Sequence, residues 1–231
     1  MAGRGLGSGV LGFPCRRCPG PLRAVALSLI LAAALPACTT APAPPLASAP
    51  REREREPFGP WRQAHAASVD ALEAHLARHG VLGVLPAEQL LRSASSWAEC
   101  HAPGYAVPPE AQWPAVVSVL QLVQALTAAG ILGPIEVHSG YRDAALNECA
   151  GGAPRSAHLT SFAIDFTPVA PIAAKVVSDP LPRLCEFWRT QGRAWRMGFS
   201  RYPSGRMHID TAGYRTWGAD HTGRTALCSA G

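Results

Sequence analysis

Four cysteines, Cys100, Cys149, Cys185 and Cys228, constrain the fold of this chain more than any other feature. The sequence has 7 cysteines, but Cys15, Cys18 and Cys38 lie within or at the end of a segment that reads as an export signal. There Arg23 precedes the apolar residues 24–34, and Leu35-Pro-Ala-Cys38 follows. A positive flank, a short apolar core and small residues before a cleavage point make up a secretory signal, and the core is too short to span a bilayer. Outside the cytoplasm, an even number of cysteines argues for two disulfides, here with three possible pairings. Cys100 with Cys149 and Cys185 with Cys228 is the working pairing. A zinc–thiolate site competes with it, but no C-x-x-C pair lies downstream of the signal.

Three segments follow from this reading: a signal over residues 1–37, a linker over 38–57 and a folded domain over 58–231. Leu35-Pro-Ala-Cys38 resembles a bacterial lipobox, which implies cleavage before Cys38 and acylation of its thiol. The protein would then be exported and tethered to a membrane through that lipid, on the periplasmic face of the outer membrane. Residues 39–50 are rich in Ala and Pro and read as an extended spacer; the alternating Arg51-Glu-Arg-Glu-Arg-Glu56 reads as a solvated charge run. The net charge of +5 needs the same partition. Four of the 21 basic residues and none of the 16 acidic ones fall in residues 1–37, leaving 17 against 16. The remainder is nearly neutral, and nothing in it argues for nucleic acid.

Within the folded part, Val69, Leu72 and Leu76 mark a helix over residues 68–79, and residues 86–97 also read as helical. Val116, Val119, Leu120, Val123 and Leu126 define the clearest helix, which Gly130 closes. Strands are expected over 131–138, 162–166, 195–199 and 207–211, a short helix over 144–150, and an interrupted helix over 170–192. Helices and short strands without regular alternation predict an α+β fold, a small antiparallel sheet flanked by helices.

The chemistry concentrates in three residues. His158 lies seven before Asp165, and His208 opens the later His208-Ile-Asp210. Two imidazoles and a carboxylate supply three ligands to zinc and leave a fourth position for water. Asp165 sits between Ile164 and Phe166, and a carboxylate on such a strand is costly unless a cation or donors satisfy it. With 8 histidines, accidental combinations of this kind are common, so spacing alone does not decide between a metal site and ordinary histidines.

Ser139-Gly-Tyr-Arg142, Asn147, Gly151-Gly-Ala and Ser156-x-His158 through Ala163-x-Asp165 resemble the M15 family of zinc peptidases. Tyr202-Pro203, His208-Ile-Asp210 and Tyr214-Arg-Thr-Trp217 resemble its closing segment, and with Pro108-x-x-x-x-Trp113 the similarity spans about residues 86–217. That family includes D-alanyl-D-alanine carboxypeptidases and murein endopeptidases, with hedgehog-type domains as distant relatives. The resemblance implies zinc on His158, Asp165 and His208, and an Arg142 that holds a substrate carboxylate or carbonyl oxygen. A planar, permanently charged guanidinium suits that role.

Two positions depart from the family pattern. Ser161 stands where a glycine is usual between the His and the Asp. The general base of many members lies three residues before the second zinc histidine, here Gly205; in others it lies five before, here Pro203. Neither accepts a proton. Asp210, on the same strand face as His208 by alternation, is the substitute, as a base, as an orienter of the ligand or as a plain salt bridge. His138 and His221 are further candidates. The expected function is zinc-dependent hydrolysis of peptidoglycan stem peptides beside a D-amino acid. The alternative is a non-catalytic, zinc-containing lipoprotein that binds murein or a protein.

Overall fold

Trp113 to Ala128 carries apolar side chains on nearly all sides and becomes the central helix of the computed structural model, which describes residues 55–169 and 179–228. Pro114 sits in its first turn, where no backbone N–H is lost from the helical ladder. Its buried residues include Leu122 and Leu126, both 0% exposed, so this helix is enclosed rather than laid on a surface. In chain order the helices are α1 (Phe58–Ala64), α2 (Ala66–Arg78), α3 (Ala87–Leu90), α4 (Trp113–Ala128), α5 (Ala144–Cys149) and α6 (Leu181–Thr190). Val69, Leu72 and Leu76 form the buried stripe of α2, as their spacing predicts.

Five strands complete an α+β fold: β1 (Ile135–Ser139), β2 (Ala163–Pro168), β3 (Gly198–Arg201), β4 (Met207–Asp210) and β5 (Arg215–Trp217). Their order is β1-β2-β4-β3-β5, antiparallel except for the parallel β3–β5 pair. Alternation divides the sheet into two unlike faces. Ile164, Phe166, Met207, Ile209 and Phe199 share one face and belong to the same apolar core as α4. The other face carries a row of paired residues across all five strands: Ser139, Asp165, His208, Ser200 and Trp217. A second row on that face runs Ala163, Asp210, Gly198 and Arg215. The candidate chemistry therefore sits on the polar face of a sheet whose reverse is fully packed.

The disulfides join Cys100 to Cys149 and Cys185 to Cys228, closing loops with separations of 49 and 43 residues. The first ties the turn after Ala94 to the end of α5; the second ties α6 to the final described segment. No described helix is long and apolar enough to cross a membrane. The expected signal over 1–37, the expected acylation of Cys38 and the expected spacer over 39–50 lie outside the described residues, as do residues 170–178 of the expected helix over 170–192.

Several local expectations need correction. Helix over 86–97 stops at Leu90, because the chain turns out to pair with residues 104–106: Ser93 N–H donates to Gly104 O at 3.1 Å, Ala106 N–H to Leu91 O at 2.9 Å, and Arg92 bridges Tyr105. The strand over 131–138 begins only at Ile135, since Ile131 and Leu132 fold back to donate to Leu126 O. The strand over 195–199 begins at Gly198, after a turn in which Arg196 holds φ 50°. β5 and α1 have no counterpart among the expected elements; three residues are too few for alternation to register.

Candidate metal centre

His158 enters the site from a short 3-10 turn, Ala157–Thr160, immediately before β2. Ser156 caps that turn, its Oγ accepting from the His158 N–H at 3.3 Å. Ser161 ends it with φ 61° and ψ 19°, a left-handed conformation that explains why glycine is favoured there. Its Oγ donates to Gln112 Oε1 at 2.7 Å, a local compensation for the strain. The chain then starts β2, where Asp165 lies directly opposite His208 of β4. One ligand atom from each of His158, Asp165 and His208 lies within 4.8 Å of the other two, and all three residues are buried.

The hydrogen bonds assign the imidazoles. His158 Nδ1 lies 2.6 Å from Gly140 O. A carbonyl only accepts, so Nδ1 carries the proton and Nε2 presents its lone pair. That Nε2 is buried, has no hydrogen-bond partner and lies 3.2 Å from Asp165 Oδ2. Burial drives the His158 pKa down, which keeps the ring neutral. His208 has carboxylates on both sides, with Asp165 Oδ1 2.9 Å from Nδ1 and Asp210 Oδ2 2.9 Å from Nε2. Burial opposes its charge, but these two bonds prevail and raise it to about 9. Burial likewise opposes the Asp165 carboxylate, yet the charged His208 ring beside it holds its pKa well below the usual range.

A dication fits this group. An orphaned, buried imidazole nitrogen facing a carboxylate lacks a partner that a cation would supply. Both imidazoles have their other nitrogen fixed by an oxygen acceptor, the arrangement that orients metal-ligating histidines. Nitrogen and carboxylate donors on three residues suit zinc with an open position.

The surrounding residues lock these three in place. Arg142 donates from NH2 to Asp165 Oδ2 at 2.7 Å and from Nε to Ser139 Oγ at 2.8 Å. Tyr202 donates its hydroxyl to Asp165 Oδ1 at 3.3 Å, and burial raises its pKa, so it stays a phenol. Asp210 is 0% exposed. Its Oδ1 accepts from Arg215 NH1 at 3.0 Å and Ala212 N–H at 2.9 Å, and its Oδ2 from Arg215 NH2 at 2.8 Å. Gly198 makes this contact possible: it lies between Asp210 and Arg215 in the second row, and a Cβ there would land on the Asp210 carboxylate.

Other expected candidates fall in different places. His138 Nε2 pairs with Thr167 Oγ1 at 2.9 Å, whereas His221 lines the cleft over the metal group. Gly205 takes φ 86° in the β3–β4 turn and contributes no side chain. Asn147 is buried and holds the loop before His158, donating to Ala153 O at 3.0 Å. Trp113 and Trp188 are core residues. Trp217 lines the cleft, with its ring centroid 5.1 Å from that of His208. Sequence reasoning missed the parts played by Gly140, Tyr202, Gly198 and Arg215; only the two-residue spacing of Arg215 and Trp217 hinted at a shared face.

The cleft above the group measures about 640 Å³, and Arg142, Arg155, Arg206 and His221 are among the residues that line it. Residues 88–199 match the family model described as Peptidase M15. The match includes Arg142, His158 and Asp165 and ends before His208, which joins them through the β2–β4 register. No curated protein and no solved structure matches the chain.

Proposed function

From the premise that residues 88–199 place this chain in the Peptidase M15 family, we propose that it is a zinc peptidase of peptidoglycan stem peptides. Its ligands are His158 Nε2, the Asp165 carboxylate and His208 Nδ1. The observation that carries this reading is the unpartnered, buried His158 Nε2 beside Asp165. Zinc bound there supplies a Lewis acid for the scissile carbonyl and lowers the pKa of water toward about 7.

The chain's own residues do the rest. Gly140 O holds the His158 proton on Nδ1, leaving Nε2 as a ligand. Asp210 accepts at His208 Nε2 and so presents Nδ1 to the site. Its remaining acceptor sites face Arg215 and the Ala212 N–H, so Asp210 is a positioning residue. Arg142 directs a guanidinium into the cleft beside Asp165, where a substrate carboxylate or carbonyl oxygen would be held. The substrate amide lies beside a D-amino acid. Export with a lipid on Cys38 would set this domain on a membrane facing the wall, with the spacer supplying reach.

Zinc-loaded protein incubated with muropeptides tests this reading, with products identified by mass. A shortened stem peptide is expected, and its loss in His158→Ala. A second reading, a metal-containing module that only binds murein, is favoured by the two positions that offer no base: Gly205 lacks a side chain and Asp210 is saturated. Tight zinc and muropeptide binding without any product would establish that module instead.

A further inference from the structure

The cleft has a charge imbalance that metal binding does not account for. Four arginines line it, Arg142, Arg155, Arg206 and Arg215, against a single acidic residue, Asp165. Asp165 is matched to Arg142 at 2.7 Å, and Arg215 is matched by Asp210 from beneath at 2.8 Å. Arg155 and Arg206 have no ion pair or side-chain hydrogen bond among the described residues. Elsewhere on the described surface, Arg62, Arg92, Arg189 and Arg201 have acidic partners, whereas Arg183 and Arg196 donate to backbone carbonyls and Arg193 stacks over Tyr214; what sets Arg155 and Arg206 apart is that they line the cleft. The two unmatched guanidinium groups flank the ligands in sequence, Arg155 three residues before His158 and Arg206 two before His208.

We propose that Arg155 and Arg206 form a second anion-binding element of this cleft, one that selects stem peptides whose internal carboxyl groups are free acids over stems in which they are amidated. The proposal rests on the peptidase reading and narrows its substrate class. A guanidinium offers a planar fork of N–H donors that a carboxylate accepts in bidentate fashion. A carboxamide returns one acceptor and one donor, and the donor faces another donor. Two uncompensated positive charges in a concave wall also focus the field and speed the arrival of anions, an effect that salt screens. Arg142 is already engaged beside the metal group, so it serves the end of the peptide nearest the scissile amide. The two further arginines serve carboxylates away from it.

The test uses two synthetic stem peptides that differ only in an internal carboxyl, free in one and a carboxamide in the other. Binding is measured by calorimetry and turnover separately, on the zinc-loaded full chain at two salt concentrations. The free acid is expected to bind and react about tenfold better, with the preference shrinking at high salt. Arg155→Gln and Arg206→Gln are each expected to weaken the acid form roughly two- to fivefold, the range of a partly exposed charged contact. The double variant should bring the acid-to-amide ratio near one, and lysine at both positions should restore part of it. Equal binding and turnover of the two peptides by the unaltered protein would overturn the proposal while leaving the peptidase reading intact, as would a ratio that survives in the double variant. Preferential binding of the acid without turnover of either peptide would support this anion site and reject the peptidase reading.

Discussion

Asp210 is the residue on which the geometry of His208 depends, and its replacement has a calculable cost. In Asp210→Ala two donors lose their acceptor: the buried His208 ring, 2.9 Å away and with a side chain only 5% exposed, and the part-buried Ala212 N–H, also at 2.9 Å. A buried donor left unsatisfied costs about 1–3 kcal/mol and the part-buried one costs less, so the two together cost about 1–4 kcal/mol. Arg215 adds little, because its side chain is 42% exposed and can turn to solvent, which caps its share at about 1 kcal/mol. Asp210→Asn keeps one acceptor but sets an NH2 group against either Arg215 or His208, and about 1–3 kcal/mol is expected from one mismatched donor. Urea unfolding of the metal-free protein reads these values directly. Loss of a residue that orients a metal ligand also weakens metal binding about 10- to 100-fold, which a competing chromogenic chelator measures. The reasoning is refuted if Asp210→Ala unfolds with the midpoint of the unaltered protein, or if its zinc affinity lies within twofold of it.

Gly198→Ala should reproduce much of the Asp210 phenotype without touching that carboxylate, because the new methyl occupies its space; about 1–3 kcal/mol of overpacking is expected in urea unfolding, and normal stability with normal zinc affinity would contradict it. Removing the Cys185–Cys228 bridge by a double alanine substitution should lower stability by up to about 4 kcal/mol for a loop of this length, measured in oxidised protein against the unaltered chain. The metal-free protein should show a pH window set by two groups. Asp165, whose carboxyl is depressed, contributes stability above its ordinary value of 3.8 and loses it as pH falls through the depressed folded pKa; His208, raised to about 9, contributes below its ordinary 6.5 and loses it between there and about 9. Zinc requires His208 deprotonated, so its affinity should rise across that same upper interval, and a flat affinity in calorimetry from pH 6.5 to 9 would count against His208 as a ligand.

The local parts of this protein are readable without coordinates. Apolar spacing in α4 and α2 reports burial because a helix that hides most of its surface must be apolar along most of its length. The i, i+2 relation of His208 and Asp210 reports a shared strand face, and the structure places their side chains 2.9 Å apart. Elements set by distant partners are less legible. Residues 91–93 have helix-compatible side chains, yet they leave α3 because residues 104–106 offer backbone partners. β5 is three residues long and owes its existence to β3 beside it.

What the amino-acid order determines alone is which donors the chain carries and how they repeat: His158 and Asp165 on one stretch, His208-x-Asp210 on another, and an even set of cysteines beyond residue 38. Tertiary structure decides which of them meet. The β2–β4 register sets Asp165 against His208 across 43 residues, Gly140 O selects the tautomer of His158 from 18 residues away, and Gly198 leaves the space in which Arg215 reaches Asp210. Periodicity is a local property, repeated every two or 3.6 residues, and can be read from neighbours. Register is a long-range one, chosen by how the apolar reverse of the sheet packs on α4, and a shift of one residue in β2 or β4 would have turned Asp165 or His208 into the core.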